Sequence, residues 1–345
     1  MRTLLTSLTI AVAIAAAGVL TNPGAVLACA GLIGSNGAVN LGRTTTLAAY
    51  TEGTEHYVTS FEFQGGGGEF GTLIPLPGVP TKVERGGGWT LQRLQLETNP
   101  PVLQGLAFAA DGASTERANV LQEVRIDALD ITILEGGGAS VAQWAQEHGF
   151  RLSPDAPEVL DFYAERSPIF MAAVFDGTAA ADRGQQVGDG TPVHLTIPTD
   201  NPWVPLRILG LGKQAEDSIQ ADVFLLTDRK PALMPAGTDG FEVTHSQSAN
   251  KLLLDDLRSD DGMAWVPDSA WLTKVAIDTD AEQLQFDLAV DATGAGRPSL
   301  VDAGLAIPNA GDEGISWEFI GLALLAVGAF AAVAVGIRRT GMQRA

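Results

Sequence analysis

One cysteine, Cys29, and four histidines are all that this 345-residue chain offers as soft metal ligands. A single thiol excludes an intramolecular disulfide, and with no histidine–cysteine cluster a transition-metal site has nothing to be built from. Cationic residues are scarce too. Between residues 31 and 314 there are 17 Lys and Arg against 40 Asp and Glu, a balance of −23. So acidic a field repels nucleic acid and anionic envelope polymers and attracts cations or basic partners. Short catalytic signatures are also missing: there is no G-x-S-x-G, no H-E-x-x-H and no P-loop. Any catalysis would need a dispersed site in which His56, His194 or His245 meets a serine and a carboxylate in space. Each histidine also has an ordinary account: His56 and His194 alternate within strands, His148 suits a helix C-terminus, and His245 ends a strand.

Long apolar runs occur only at the two ends. Residues 4–20 follow Arg2 and precede the polar, turn-forming TNPGAVLACA, which is the pattern of a secretory signal. Ala28 and Ala30 form an A-x-A site for cleavage after Ala30, while Val26 and Ala28 would place cleavage before Cys29, which then becomes a candidate for lipidation. At the other end residues 319–337 hold nineteen residues without a charge, close to the ~20 needed to cross ~30 Å of hydrocarbon. Trp317 and Phe319 stand where an outer aromatic belt belongs, and Arg338, Arg339 and Arg344 set the tail on the cytoplasmic side. The lipid bilayer is therefore the expected partner of 319–337, with the domain outside. Gly328, Ala332 and Gly336 recur every fourth residue, a stripe along which a homodimer can pack.

Between these ends the pattern predicts an α+β fold: a strand-rich ectodomain with a two-helix insertion packed on a sheet, followed by one C-terminal transmembrane helix. The expected order is a signal over 1–30, an α+β part over 31–175, a mostly β part over 191–290, a stalk over 291–315, the span within 316–337 and a basic tail over 338–345. Residues 43–76 read as an opening sheet with the glycines at 65–68 as a hairpin loop. Residues 124–134 read as one strand with a slip at Ala128 and Leu129 that a bulge would explain. ASVAQWAQEHGF puts Val141, Trp144, Ala145 and His148 on one helical face, with Gly149 as a left-handed cap, and a second helix follows from Ser153 or Asp155 to Pro168. The run at 169–175 reads as a buried strand, and 176–190 as a boundary or loop. Beyond it, TPVHLTIP, WVPLRILGLG, IQADVFLLTD, FEVTH, WLTKVAID and QLQFDLAV read as strands, interrupted by the helix SANKLLLDDLRS.

Asp255, Asp256, Asp260 and Asp261 crowd the C-terminus of that helix, where the dipole disfavours anions, and they make a candidate calcium site. Calcium is the one cofactor for which the chain holds suitable oxygen ligands. The stretch DTDAE at 278–282 begins like a calcium loop but lacks the glycine at its sixth position.

The cysteine–glycine start after the signal, the PLPGVP element at 75–80, the run AQWAQEHGFRLSPDAPEVLDFYAERSPIFMAAVF and the segment TPVHLTIPTDNPWVPLRILGLG together resemble a bacterial exported family, domain of unknown function 2330. The resemblance spans most of residues 29–290 and implies export and an α+β domain. It supplies no reaction and no catalytic residue. Family members often carry further cysteines near the start, which this chain lacks, so no disulfide carries over. The reading is a non-enzymatic binding or scaffolding ectodomain, with an extracytoplasmic hydrolase of dispersed active site as the alternative.

Overall fold

The computed structural model describes residues 31–34, 37–38, 44–62, 69–99, 120–185, 190–235, 240–293 and 296–306. The signal, Ala28, Cys29, Ala30, the apolar run at 319–337 with its Gly328, Ala332 and Gly336 stripe, and the basic tail lie outside the described residues. Among the described residues no helix is long and apolar enough to cross a membrane.

The strands of the first half are β1 (Gly31–Gly34), β2 (Gly37–Ala38), β3 (Thr44–Thr51), β4 (Thr54–Glu62), β5 (Glu69–Leu76), β6 (Lys82–Arg85), β7 (Val120–Ile126), β8 (Leu129–Glu135) and β9 (Ile169–Asp176). They are followed by β10 (Gly190–Pro198), β11 (Trp203–Val204), β12 (Ser218–Thr227), β13 (Ala232–Met234), β14 (Phe241–Ser248), β15 (Trp271–Asp280) and β16 (Leu288–Asp291). Among the described residues five α-helices join them: α1 (Thr90–Thr98), α2 (Gly138–Glu147), α3 (Ala156–Ala164), α4 (Gly177–Asp182) and α5 (Lys251–Ser259).

Central strands such as β9 and β12 are buried on both faces, so each large sheet needs a layer on either side. A six-stranded sheet runs β2-β1-β5-β9-β8-β7, a seven-stranded sheet runs β14-β15-β12-β3-β4-β10-β6, and β11-β16-β13 form a small third sheet. The largest core cluster takes residues from both large sheets, including Tyr57, Val193 and Leu195 from the seven-stranded one and Ile74, Ile131 and Phe175 from the six-stranded one. The outer face of the six-stranded sheet is covered by α2 and α3 through Trp144, Leu160 and Tyr163. The outer face of the seven-stranded sheet is covered by α1 and α5 through Leu91, Leu94, Leu253 and Leu257. The protein is thus a sheet-rich α+β fold with few helices, and the two-helix insertion lies on a sheet as its apolar stripes require.

Local chemistry sets the helix ends. Gly149, at φ +74°, takes the left-handed conformation just past α2. Asn250 accepts from the Leu253 amide to cap α5, and Asp176 accepts from the Thr178 and Ala179 amides to cap α4.

Four expectations about single elements are corrected. The chain from β4 to β5 is not a hairpin, because β4 already pairs with β3 and β10 while β5 pairs with β1 and β9 in the other sheet. The slip in 124–134 is a two-residue turn rather than a bulge: Ile126 faces Leu129, and Asp127 sits at φ +55°, a conformation aspartate tolerates. Only Trp203–Val204 of WVPLRILGLG is strand, and the following residues 207–210 form a 3₁₀ turn. Of QLQFDLAV only the last three residues are strand, in the element Leu288–Asp291. The seven-stranded sheet takes strands from both sides of 176–190, and α4 occupies part of that stretch. Residues 296–306, within the expected stalk, are held against the domain by Arg166 Nη1 donating to the Asp302 carbonyl at 2.6 Å and by fully buried Ala303.

Candidate functional site

On the helix-covered face of the six-stranded sheet, β7, β8, β9 and β5 bring Arg125, Asp130, Val174 and Gly71 into one register row. The next row places Glu123 opposite Thr132, and Glu69 stands two residues before Gly71 on the same face of β5. Helix α2 ends at Glu147, before it covers this end of the sheet, and its cap residue His148 forms a wall. The result is a cavity of about 230 Å³ lined by Glu69, Glu123, Arg125, Asp130, Thr132 and His148, with Val174 at its apolar side.

Arg125 dominates this cavity. Its side chain is 11% exposed, and Nη1 donates to Asp130 Oδ2. Its Nε and Nη2 are shielded from solvent, with no hydrogen-bond partner among the described residues. Burial disfavours the Arg125 charge, and Asp130 opposes that effect. The Asp130 carboxyl is raised, first by burial, with Arg125 pulling it back down and Asp176 and Glu69 adding repulsion. His148 Nδ1 lies 2.8 Å from the Trp144 carbonyl, so Nδ1 carries the proton and Nε2 is an acceptor in the neutral ring. The indole of Trp144 stacks on this ring at 4.5 Å.

A second polar cluster lies on the outer face of the seven-stranded sheet. His56 of β4 and His194 of β10 are diagonal neighbours, with Nδ1 of the first 2.9 Å from Nε2 of the second. Trp265 stacks on His56 at 3.9 Å between centroids and 4° between planes. Glu84 Oε1 is 3.4 Å from His194 Nδ1, a long contact rather than a full hydrogen bond. Burial pushes both imidazoles down to about 4, so both are neutral near pH 7. Among the described residues no histidine is within hydrogen-bond reach of both a serine and a carboxylate, the geometry a dispersed triad needs. His245 lies in β14 on the sheet edge and His148 at the end of α2.

Three of the four aspartates at the end of α5 go to separate side-chain partners. Asp255 pairs with Lys251 and Arg258, and Asp256 pairs with Arg93 of α1. Asp260 turns inward, with Oδ2 accepting from the Trp89 amide and the Thr90 hydroxyl and Oδ1 from the Asp261 amide. Among the described residues no group of three His, Cys, Asp or Glu converges on a metal position. In the 278–282 stretch, Asp278 accepts from Gln220, and Asp280 precedes a 3₁₀ turn without a side-chain capping bond.

A sequence model described as an uncharacterized protein conserved in bacteria, domain of unknown function 2330, matches residues 23–294. The chain belongs to this family. No curated protein matches it. Two solved structures of baculovirus P35 are similar at a TM-score of 0.33, one of them mutated and cleaved by caspase. The cleaved form is 9% identical and covers 73% of this chain and 94% of its own, and the other is 10% identical and covers 72% and 91%. A likeness of that size carries no functional weight.

In this family member, Arg125 and Asp130 were not among the residues singled out by sequence. Both are polar neighbours in the 124–134 alternation, and the signal lies in the turn: Ile126 opposite Leu129 makes Arg125 and Asp130 a cross-strand pair on the non-core face.

Proposed function

We propose that the chain is a non-enzymatic, single-pass envelope protein whose outward domain binds a small charged ligand in the Arg125 cavity. The observation that carries this reading is a cavity of about 230 Å³ whose lining sets Arg125 among Glu69, Glu123 and Asp130. Residues 1–30 serve as the export signal, 319–337 as the anchor and 338–345 as the cytoplasmic tail, a topology supported by the lengths, flanks and arginines of these segments.

The test is thermal unfolding of the full chain in detergent against small anions, small cations, zwitterions and neutral sugars. At least one class raises the midpoint of the wild type and leaves Arg125→Leu unchanged. If no class does so, the binding reading fails. Turnover of ester, amide or glycoside probes that disappears in His194→Asn would instead favour the hydrolase. Mass spectrometry of the mature N-terminus separates cleavage after Ala30 from a lipidated Cys29.

A further inference from the structure

We propose that the turn at residues 300–305 is a membrane-contact site, with the Leu300 and Leu305 side chains set into the outer surface of the bilayer beside the anchor. This contact deepens the envelope-protein reading above and rests on its span at 319–337, not on the Arg125 cavity. Seven large apolar side chains are exposed among the described residues, and five of them stand apart in sequence, as single surface residues do in any protein. Leu300 and Leu305, 42% and 51% exposed, are instead brought together. The Leu305 amide donates to the Leu300 carbonyl and the Gly304 amide to the Val301 carbonyl, both at 2.8 Å, with Gly304 at φ +70°. In this way of closing a helical turn, the residues at those two places meet.

The other side of the turn is fixed to the domain. Ala303 is fully buried and its carbonyl accepts from the Asp287 amide at 3.1 Å, while a side chain at Gly304 would lie 2.2 Å from the Phe162 ring. With Ala303 and Gly304 pressed inward, the two leucines are left outward. Charge suits the same surface. The one acid within residues 296–306 is Asp302, half-buried with Arg166 close by, and the exposed charge there is Arg297. The domain as a whole has a balance of −23 between residues 31 and 314, which repels anionic headgroups and favours a zwitterionic lipid surface.

Tether length names the occupant. Because residues 296–306 are held to the domain, only the twelve residues 307–318 separate it from the apolar run. A coil of twelve residues averages about 20 Å end to end, and full extension gives about 40 Å. The turn is therefore the described part of the domain with the shortest tether to the bilayer. Lipid reaches it at a high local concentration, ahead of a second copy.

The experiment labels full-length Leu300→Cys, Leu305→Cys, Leu252→Cys and Gly328→Cys with an environment-sensitive dye, in phosphatidylcholine vesicles holding nitroxide lipids. Wild type, whose only thiol is Cys29, supplies the background. Leu252, the most exposed of the seven at 68%, is the surface control, and Gly328 reports the span separately. Nitroxides near the headgroups quench the dye at 300 and 305 at least twofold more than at 252, and adding Leu305→Asp to Leu300→Cys removes at least half of that quenching. Dyes at 300 and 305 that stay unquenched while nitroxides at the bilayer centre quench Gly328→Cys overturn the contact and leave the anchor standing. A dye there that is shielded from water yet unquenched also overturns it, in favour of a second copy or another protein. Quenching at 252 as strong as at 305 means that the domain lies on lipid without regard to this turn, and again overturns it. An unquenched Gly328→Cys overturns the span, and the contact with it.

Discussion

Lys274 Nζ lies 3.1 Å from Asp222 Oδ1, on neighbouring strands β15 and β12, and each side chain is 2% exposed. Gln95 of α1 closes the arrangement, donating to Asp222 Oδ2 at 2.8 Å and accepting from Lys274 at 3.3 Å. Breaking such a pair leaves a buried charge uncompensated. Lys274→Met is expected to cost about 3–5 kcal/mol, and adding Asp222→Leu to recover most of that loss. Denaturant midpoints of the two variants check this; a single variant within ~1 kcal/mol of wild type would mean that the pair is dispensable.

The His56–His194 pair makes the fold acid-sensitive. Both imidazoles titrate at about 4 in the folded protein against 6.5 in the open chain, mainly because burial disfavours their charge. Between those values the unfolded chain binds the extra protons, so stability falls as pH drops from 6.5 to about 4 and then levels. The expected loss is roughly 3 kcal/mol, with the smaller share from His56, which water partly screens. Chemical unfolding at pH 7 and pH 5 measures it, and His194→Gln should flatten the slope. An equally steep slope in that variant would assign the effect elsewhere.

Glu55 acts in the opposite direction. Its side chain, on β4, is fully buried beside Tyr50, Pro202, Trp203 and Val290. Burial lifts its carboxyl from 4.5 to about 8, the Trp203 backbone opposing in part. The folded protein therefore holds a proton that the unfolded chain releases, and this contribution is complete below pH 4.5 and lost as pH rises to about 8. Glu55→Gln should remove a slope of up to about 4 kcal/mol and gain most over wild type at pH 8. Melting curves of both proteins at pH 5 and pH 8 decide; a gap that does not widen with pH refutes the assignment.

Asp287 ties the α3 segment to the chain at residues 206–207. Its Oδ1 accepts from the Tyr163 hydroxyl at 2.8 Å and from the Leu206 and Arg207 amides at 2.7 and 3.0 Å, while Arg166 Nη2 donates to Oδ2 at 2.5 Å. Arg166 also lies over the rings of Phe162, Tyr163 and Trp203. Asp287→Ala strands all of these donors and is expected to cost about 3–5 kcal/mol. Hydrogen exchange should show faster opening around residues 203–210 than in wild type; unchanged protection there would exclude the carboxylate as the tie.

Periodicity made the strands and helices legible wherever one face is buried. The α2 stripe of Val141, Trp144 and Ala145 is buried as its spacing predicts, and the run at 169–175 is a central strand. Partner choice was not legible, because alternation says which face is apolar and is silent on which strand lies alongside; hence β4 and β5 read as a hairpin though they belong to different sheets. The cavity was hidden for a related reason. Arg125 and Glu123 look like ordinary solvent-facing positions until the pairing of β7 with β8 and the end of α2 at His148 set them around one hollow. The four aspartates of 255–261 stood out in sequence, yet Arg93 and the Trp89–Thr90 turn, 163 to 171 residues away, take two of them.

The parallel pairing of β3 with β12 joins residue 44 to residue 221. Until the chain has been made past β12, the hairpin of β3 and β4 keeps that side open, and β10 is needed to close the other. Contacts so distant in sequence slow folding, because loop closure precedes the contacts that repay it. The domain consequently completes its fold late, after most of its length has been synthesised, and a chain cut before residue 218 should leave an unsatisfied strand edge open to aggregation.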